Sequence, residues 1–189
     1  MNSRLHLARP QLGVTLIEAC VVLAITAVVA ASVMPGMQTL IGIRRLDGAA
    51  TELATDIQFA RAEAVARNES LRLSVHGNGN GTSAGTGAST CYLIHTGSAA
   101  DCSCISPGPA QCTADAQVIK TVVLSAADGI RLESNAASIV FDPLHGTSTP
   151  TATLRLSDSK GRAVHHVVNV MGRARSCSPS PAMTGYRAC

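Results

Sequence analysis

The chain has 189 residues, enough for one compact domain and one hydrophobic element and too few for two comfortable domains. Only 14% of residues are charged and 2% aromatic, with no Trp, so Ala, Val, Thr, Ser and Gly must fill the core; this favours a thin, sheet-rich domain. The formal net charge of +3 is too small to mark a nucleic-acid binder by itself.

Residues 1–13 carry Arg4 and Arg9 and no acid, so this end is expected to stay cytoplasmic. Residues 14–34 then form an apolar run long enough, at about 1.5 Å per residue, to cross one bilayer core. Glu18 lies inside it, and a charge within a membrane span costs roughly 2.5–3.5 kcal/mol on insertion scales. A cleaved secretory signal ending near Ala30-Ala31-Ser32 is one reading, but Glu18 and the length of the run weigh against it. A lipoprotein signal at Cys20 would want small neutral residues before the cysteine, and Glu18-Ala19 fits badly. The third reading is a retained helix whose leader is cut after Gly13.

Pro35-Gly36 is expected to kink this helix. Beyond it Leu46, Ala50, Leu53, Ile57, Ala60 and Ala64 recur at three- and four-residue steps, predicting an amphipathic helix to about Asn68. Asp47, Glu52, Asp56, Arg61 and Glu63 fall on or near the other face, and the acids are expected to be solvated.

The period then changes to two, and residues 71–75 read as a strand. Residues 76–90 form a Gly-rich surface loop; no Lys-Ser/Thr and helix follow, as a phosphate-binding loop would require. Further strands are predicted over 90–96, 116–124, 129–133, 138–142, 151–157 and 162–170, the last two joined by the turn Asp158-Ser159-Lys160-Gly161. Residues 171–189 are expected to be irregular, tied back by Cys177 or Cys189.

Cys91, Cys102, Cys104, Cys112, Cys177 and Cys189 form an even set after the apolar run, implying an oxidising compartment and up to three disulfides of open connectivity. Cys102-x-Cys104 with Cys112 lacks the paired spacing of structural zinc sites, and the cysteine-rich stretch to Cys112 is expected to be an irregular, stapled loop. His165 and His166 are strand neighbours pointing to opposite faces and cannot readily share a metal. No nucleophile–base–acid pattern stands out, so the chain is read as non-enzymatic, without cofactor or metal. Acids prevail from Cys91 to Asp142; after Pro143, Arg155, Lys160, Arg162, Arg173, Arg175 and Arg187 face the single acid Asp158. A basic C-terminal third suits an anionic partner.

Gly13-Val14-Thr15-Leu16-Ile17-Glu18, followed by the apolar helix, resembles the prepilin processing signal of type IV pilins and type II secretion pseudopilins. The resemblance implies that a prepilin peptidase cuts after Gly13 and methylates Val14, which stands where Phe or Met is usual. It also makes Glu18 an assembly contact, meeting the N-terminus of a neighbouring subunit. Ile139-Val140-Phe141-Asp142-Pro143-Leu144-His145-Gly146, Thr153-Leu154-Arg155-Leu156 and the ending Gly172-Arg173-Ala174-Arg175 resemble the later strands of the FimT/GspH branch of minor pilins and pseudopilins.

That branch implies an α+β, type IV pilin-like fold, a long N-terminal helix packed on an antiparallel β-sheet or β-sandwich domain. The expected division is a leader (1–13), a transmembrane helix (14–36), an amphipathic half-helix (37–68), a β-rich domain (69–176) and an irregular tail (177–189). FimT-type pilins are linked to DNA uptake in natural transformation through the Gly-Arg-x-Arg segment. The resemblance therefore implies a minor pilin that contacts double-stranded DNA through Arg173 and Arg175, with Arg162, Lys160 and Arg187 as secondary contacts. Scarce aromatics disfavour capture of single strands by base stacking. The alternative is a GspH-like pseudopilin of type II secretion with a purely structural role. Either way the expected partners are other pilins or pseudopilins, the peptidase and the bacterial inner membrane, with the β-rich domain in the periplasm.

Overall fold

The computed structural model describes residues 13–77, 89–104, 110–113, 115–179 and 183–189, without the side chains of residues 33–35. The chain divides into two compact units, Met1–Ile41 and Gly42–Cys189. Helix α1 (Leu16–Arg67) provides the described part of the first and opens the second.

In the first unit Thr15 caps α1: its Oγ1 accepts the backbone N–H of Glu18 at 3.3 Å. Glu18 therefore occupies the third helical position, where unpaired N–H groups and the helix dipole favour a carboxylate. The apolar side chains that follow are bare, with Leu16 85% and Leu23 68% exposed. Neither Leu16–Ser32 nor Gly36–Arg67 is by itself long and apolar enough to cross a bilayer; the two together are, by length and composition. The leader before Gly13 lies outside the described residues, as do the side chains at the predicted Pro35 kink.

In the second unit the predicted helix face is buried completely: Leu46, Ala50, Leu53, Ile57, Ala60 and Ala64 are all 0% exposed. Three of the six are Ala, so the sheets can approach the helix backbone closely, as a chain poor in aromatics requires.

The strands, all paired antiparallel, are β1 (Leu71–Gly77), β2 (Thr90–His95), β3 (Cys102–Ser103), β4 (Gln111–Cys112), β5 (Val118–Leu124), β6 (Ile130–Ser134), β7 (Ser138–Phe141), β8 (Ser148–Thr149), β9 (Ala152–Asp158), β10 (Ala163–Val168) and β11 (Ala174–Cys177). They form a five-stranded sheet in the order β5-β2-β1-β7-β8, a four-stranded sheet in the order β11-β10-β9-β6, and the small ladder β3-β4. Their inner faces share one core with the helix: Leu71, Leu73, Tyr92, Ile94, Ile139 and Phe141 from the first sheet, and Leu132, Leu154, Leu156, Val164 and Val168 from the second.

Three expectations are corrected here. The C-terminal segment is not irregular throughout, because Ala174–Cys177 pairs with β10 from His165↔Cys177 to Val168↔Ala174. Its inward positions are the small Ala174 and Ser176, so no apolar alternation betrays the strand. The cysteine-rich stretch holds the short ladder β3-β4, with Cys102 directly opposite Cys112. Finally, Asp56 is not solvated: it is 3% exposed and accepts bonds from the Tyr92 hydroxyl at 2.8 Å and Lys120 Nζ at 2.6 Å. Burial first, and then the bond to Asp56, push the Tyr92 phenol up. The same carboxylate raises Lys120. A carboxylate this deep is tolerated because it is paired and hydrogen-bonded, locking α1 to β2 and β5.

All six candidate cysteines are paired, as Cys91–Cys104, Cys102–Cys112 and Cys177–Cys189. Cys91–Cys104 ties the segment after β2 back to the outer face of the five-stranded sheet, where Ser74, Leu93 and His95 are at most 1% exposed, and Cys102–Cys112 bridges β3 and β4. There His95 Nδ1 donates to the Thr96 carbonyl at 2.7 Å, which leaves Nε2 to accept the Ser74 hydroxyl at 2.8 Å. The Gly-rich loop reading falls on residues 78–88, outside the described residues.

Candidate nucleic-acid interface

Arg173 and Arg175 are carried by the β10–β11 hairpin. Its turn is closed by Gly172 N–H to the Asn169 carbonyl at 2.9 Å, and Asn169 Oδ1 accepts the Arg173 N–H at 3.0 Å. Gly172 has φ +68°, and a Cβ placed there would lie 2.6 Å from the Gly146 carbonyl oxygen and 2.9 Å from Arg61 Cδ. Both the left-handed backbone and the close approach therefore demand glycine. Arg61, from α1, donates its Nε–H to the same Gly146 oxygen at 2.8 Å and so pins the hairpin turn and the Gly146 loop to the helix. That loop is shaped by Asp142, whose Oδ1 accepts the N–H groups of Leu144 (3.0 Å) and His145 (2.8 Å). The bond from the His145 N–H leads the causes that hold the Asp142 carboxyl below its usual range. Two stretches quoted in the sequence, residues 141–146 and 172–175, thus form one anchored corner. Arg61 as its pin is invisible in the sequence, where it only falls on or near the polar face of the helix.

Arg173 and Arg175 are exposed and, among the described residues, neither guanidinium lies in an ion pair. Arg187 is also exposed, on a tail whose backbone bonds to Ser178 and whose end is closed by Cys177–Cys189. Tyr186 Oη donates to Asp47 at 2.9 Å, fastening this tail to α1. Lys160 is exposed in the β9–β10 turn, at the opposite end of β10 from Arg173. Arg162 is different: it is half-buried, bound to Asp158 through Nε at 2.6 Å and through Nη2, and packed over Gly42. Its charge is largely committed to the fold. The structure thus brings Arg173 and Arg175 together, sets Lys160 at the far end of β10, ties Arg187 to Ser178 just beyond β11, and withdraws Arg162.

His165 and His166 point to opposite faces, as their strand positions predict. His166 is buried, with Nδ1 and the Ser176 hydroxyl 2.9 Å apart, and burial pushes its pKa down to about 4. His165 is half-exposed and lowered by burial first and then by the Arg155 guanidinium. Its Nδ1 lies 3.7 Å from Cys189 Sγ, and with Cys177 these three donor atoms fall within 4.8 Å of one another. The two sulfurs are bonded to each other and offer no thiolate to a metal.

At the other end of the chain Gly13 and Val14 lie exposed and non-helical just before α1. Glu18 is exposed and, among the described residues, has no ion-pair partner.

A bare apolar helix, continued as the spine of a disulfide-bonded antiparallel β domain with an anchored basic hairpin, defines an α+β protein of the pilin-like class. The family described as Type II transport protein GspH matches residues 49–172, and the chain belongs to that family of minor pilins and pseudopilins. The match ends at the hairpin glycine, before Arg173. Two crystal forms of the Pseudomonas aeruginosa (strain PAO1) type IV minor pilin FimU are similar at 16% and 17% identity, each with a TM-score of 0.47. They cover 71% and 72% of this chain and 98% and 94% of FimU. No curated protein matches the chain. Membership of the family implies assembly with other pilin-like subunits.

Proposed function

We propose that this protein is a minor pilin of a type IV pilus that takes part in pilus assembly and binds duplex DNA for uptake in natural transformation. The observation that carries the DNA reading is the anchored hairpin, on which Arg173 and Arg175 are exposed and without acidic partners. Guanidinium groups held at fixed spacing suit successive phosphates and give sequence-independent, salt-sensitive affinity. Lys160 and Arg187 are secondary contacts; Arg162, bound to Asp158, contributes by shaping the β9–β10 turn.

A prepilin peptidase cuts after Gly13 and methylates Val14, α1 anchors the precursor in the inner membrane, and the β domain stands in the periplasm before entering the fibre. Its bare apolar surface supports that reading, since such surface is covered in use by lipid or by other helices. Glu18 is tolerated at the capped start of α1 and meets the N-terminal amine of a neighbouring subunit during assembly. Glu18→Ala should be processed normally yet enter pili poorly; normal incorporation would refute the pairing.

The description of the matching family favours a second reading, a type II secretion pseudopilin with a purely structural role. The two separate on one measurement: duplex binding by the full chain in nonionic detergent over a salt series. The DNA reading requires binding at low salt, lost progressively as salt rises, and weakened when Arg173 and Arg175 become Ala. Absence of binding at low salt, or indifference to both substitutions, leaves the structural reading.

A further inference from the structure

The outer face of the four-stranded sheet carries a line of arginines that no sequence motif joins. On that face the register sets out three rows: Arg131 with Ser157 and Ala163; Glu133 with Arg155, His165 and Cys177; and Thr153 with Val167 and Arg175. The inward-facing alternates on β6, β9 and β10 are the buried Ile130, Leu132, Leu154, Leu156, Val164 and His166. Arg131 on β6, Arg155 on β9 and Arg175 on β11 therefore run diagonally across the face, each a row further along, with β10 between the last two. Arg173 continues the line at the hairpin end. Among the described residues none of these four guanidinium groups is in an ion pair, and the side chains between Arg155 and Arg175 are those of His165 and Val167 on β10. Glu133 is the acid set in the rows.

We infer that duplex DNA lies along this diagonal, so that the sheet face, with Arg155 and Arg131, is part of the phosphate-binding surface and the hairpin is its end. This rests on the DNA-binding reading above and extends it. Diagonal neighbours on adjacent strands, such as Arg131 and Arg155, stand about 7–8 Å apart. Arg155 and Arg175, with β10 between them, stand about 12 Å apart, from strand spacings of about 4.8 Å and a two-residue step of about 6.7 Å. A duplex carries one phosphate charge per about 1.7 Å of its axis, so arginines at both spacings can each meet a phosphate of the same duplex. The face spans about 20 Å over the six residues of β10 at about 3.3 Å each. Several phosphates can be met together on such a length, where the hairpin alone offers two arginines. Glu133, opposite Arg155 in the register, opposes the same phosphates and weakens the contact.

The test is duplex binding by the full chain in nonionic detergent, from low to moderate salt. Arg155→Ala and Arg131→Ala should each weaken binding several-fold and flatten the log–log salt slope by about one. Glu133→Gln should strengthen binding about twofold with the slope steepened, which a role in folding alone would not produce. Arg155→Gln serves as the second variant at that position, and the melting profile of each variant checks folding. If Arg173→Ala and Arg175→Ala weaken binding while the Arg131, Arg155 and Glu133 variants match wild type, the contact is confined to the hairpin and the sheet-face inference is overturned alone. If the wild-type chain binds no duplex at low salt, the DNA reading falls and this inference with it.

Discussion

The two sheets treat their outer faces in opposite ways. On the five-stranded sheet the outward residues Ser74, Cys91, Leu93 and His95 are none of them more than 3% exposed, and Cys91 is bonded to Cys104 in the segment after β2. On the four-stranded sheet the outward Arg155, Val167 and Arg175 meet solvent. The first sheet is therefore buried on both sides at the centre of β1 and β2, while Val123 on β5 stays 42% exposed, and the second is half-wet, the usual state of an antiparallel sheet. The Cys91–Cys104 disulfide ties the cysteine-rich stretch to the buried part of that face. The basic face carries no such tie outside the Cys177–Cys189 end and stays open to a partner.

The largest effect should come from uncovering the closed face. Cys91 and Cys104 close a loop of sequence separation 13, for which chain entropy gives about 3 kcal/mol, and losing a native disulfide from a small secreted domain typically costs about 2–5 kcal/mol. The Cys91→Ser, Cys104→Ser pair should lose that much in chemical denaturation and should also expose the Ser74 and His95 amides to hydrogen exchange. Cys177–Cys189 closes a loop of nearly equal separation, 12, but ends at an exposed cysteine. Its removal should cost less, and equal losses would mean that the cover over the five-stranded sheet adds nothing beyond loop closure.

Acid should separate buried from open surfaces next. His76 and His95 on the covered face, and His166 inside the four-stranded sheet, all have pKa values lowered chiefly by burial. Above about pH 6.5 these imidazoles are neutral whether the chain is folded or not, and stability is full. As pH falls below 6.5 the unfolded chain takes up protons first, and stability declines until the folded pKa is reached, about 4 for His166. His166 alone accounts for about 3 kcal/mol over that window. Denaturation midpoints measured from pH 7 to 4 should fall accordingly, and His166→Asn should flatten the profile. A flat wild-type profile would mean that water reaches these rings.

The open sheet has one inflexible point, the hairpin turn. Gly172→Ala places a side chain at φ +68° against the Gly146 oxygen and should cost about 2 kcal/mol, within the usual range for a strained residue. Exchange of the β10–β11 amides should rise more than that of β1 and β2. A uniform change across both sheets would show that the turn is not anchored locally through Arg61.

What could be read in advance follows from where the determining contacts lie. The six-residue helix face was legible because burial at three- and four-residue steps is a local pattern, and strands β1, β5, β6, β7 and β9 were legible by alternation or by apolar β-branched runs. β8 is two residues long and β11 turns Ala and Ser inward, so neither leaves such a trace. Asp56 looked solvated because its partners Tyr92 and Lys120 lie 36 and 64 positions away. The disulfide pairing depended on the β3-β4 ladder placing Cys102 opposite Cys112. The Gly-Arg-x-Arg segment was visible as a motif, whereas its pin, Arg61, and its alignment with Arg155 and Arg131 needed the strand order β11-β10-β9-β6. Arg162 went the other way: counted among the basic residues, it is spent on Asp158.

The smallest effect should be the loss of arginines from the open face. Arg155 is exposed, Arg131 is half-exposed, and neither is in an ion pair among the described residues. Glu133 stands across from Arg155, but exposed cross-strand charges contribute only a few tenths of a kcal/mol, and isolated surface substitutions stay within about 0.5 kcal/mol. The Arg131→Ala, Arg155→Ala double variant should therefore unfold at the wild-type denaturant midpoint. A loss above about 1 kcal/mol would mean that these side chains pack on something in the free chain, and the two outer faces would then be alike. An unchanged midpoint makes any loss of duplex affinity in the same variant a property of the surface, because the sheet presenting it is intact.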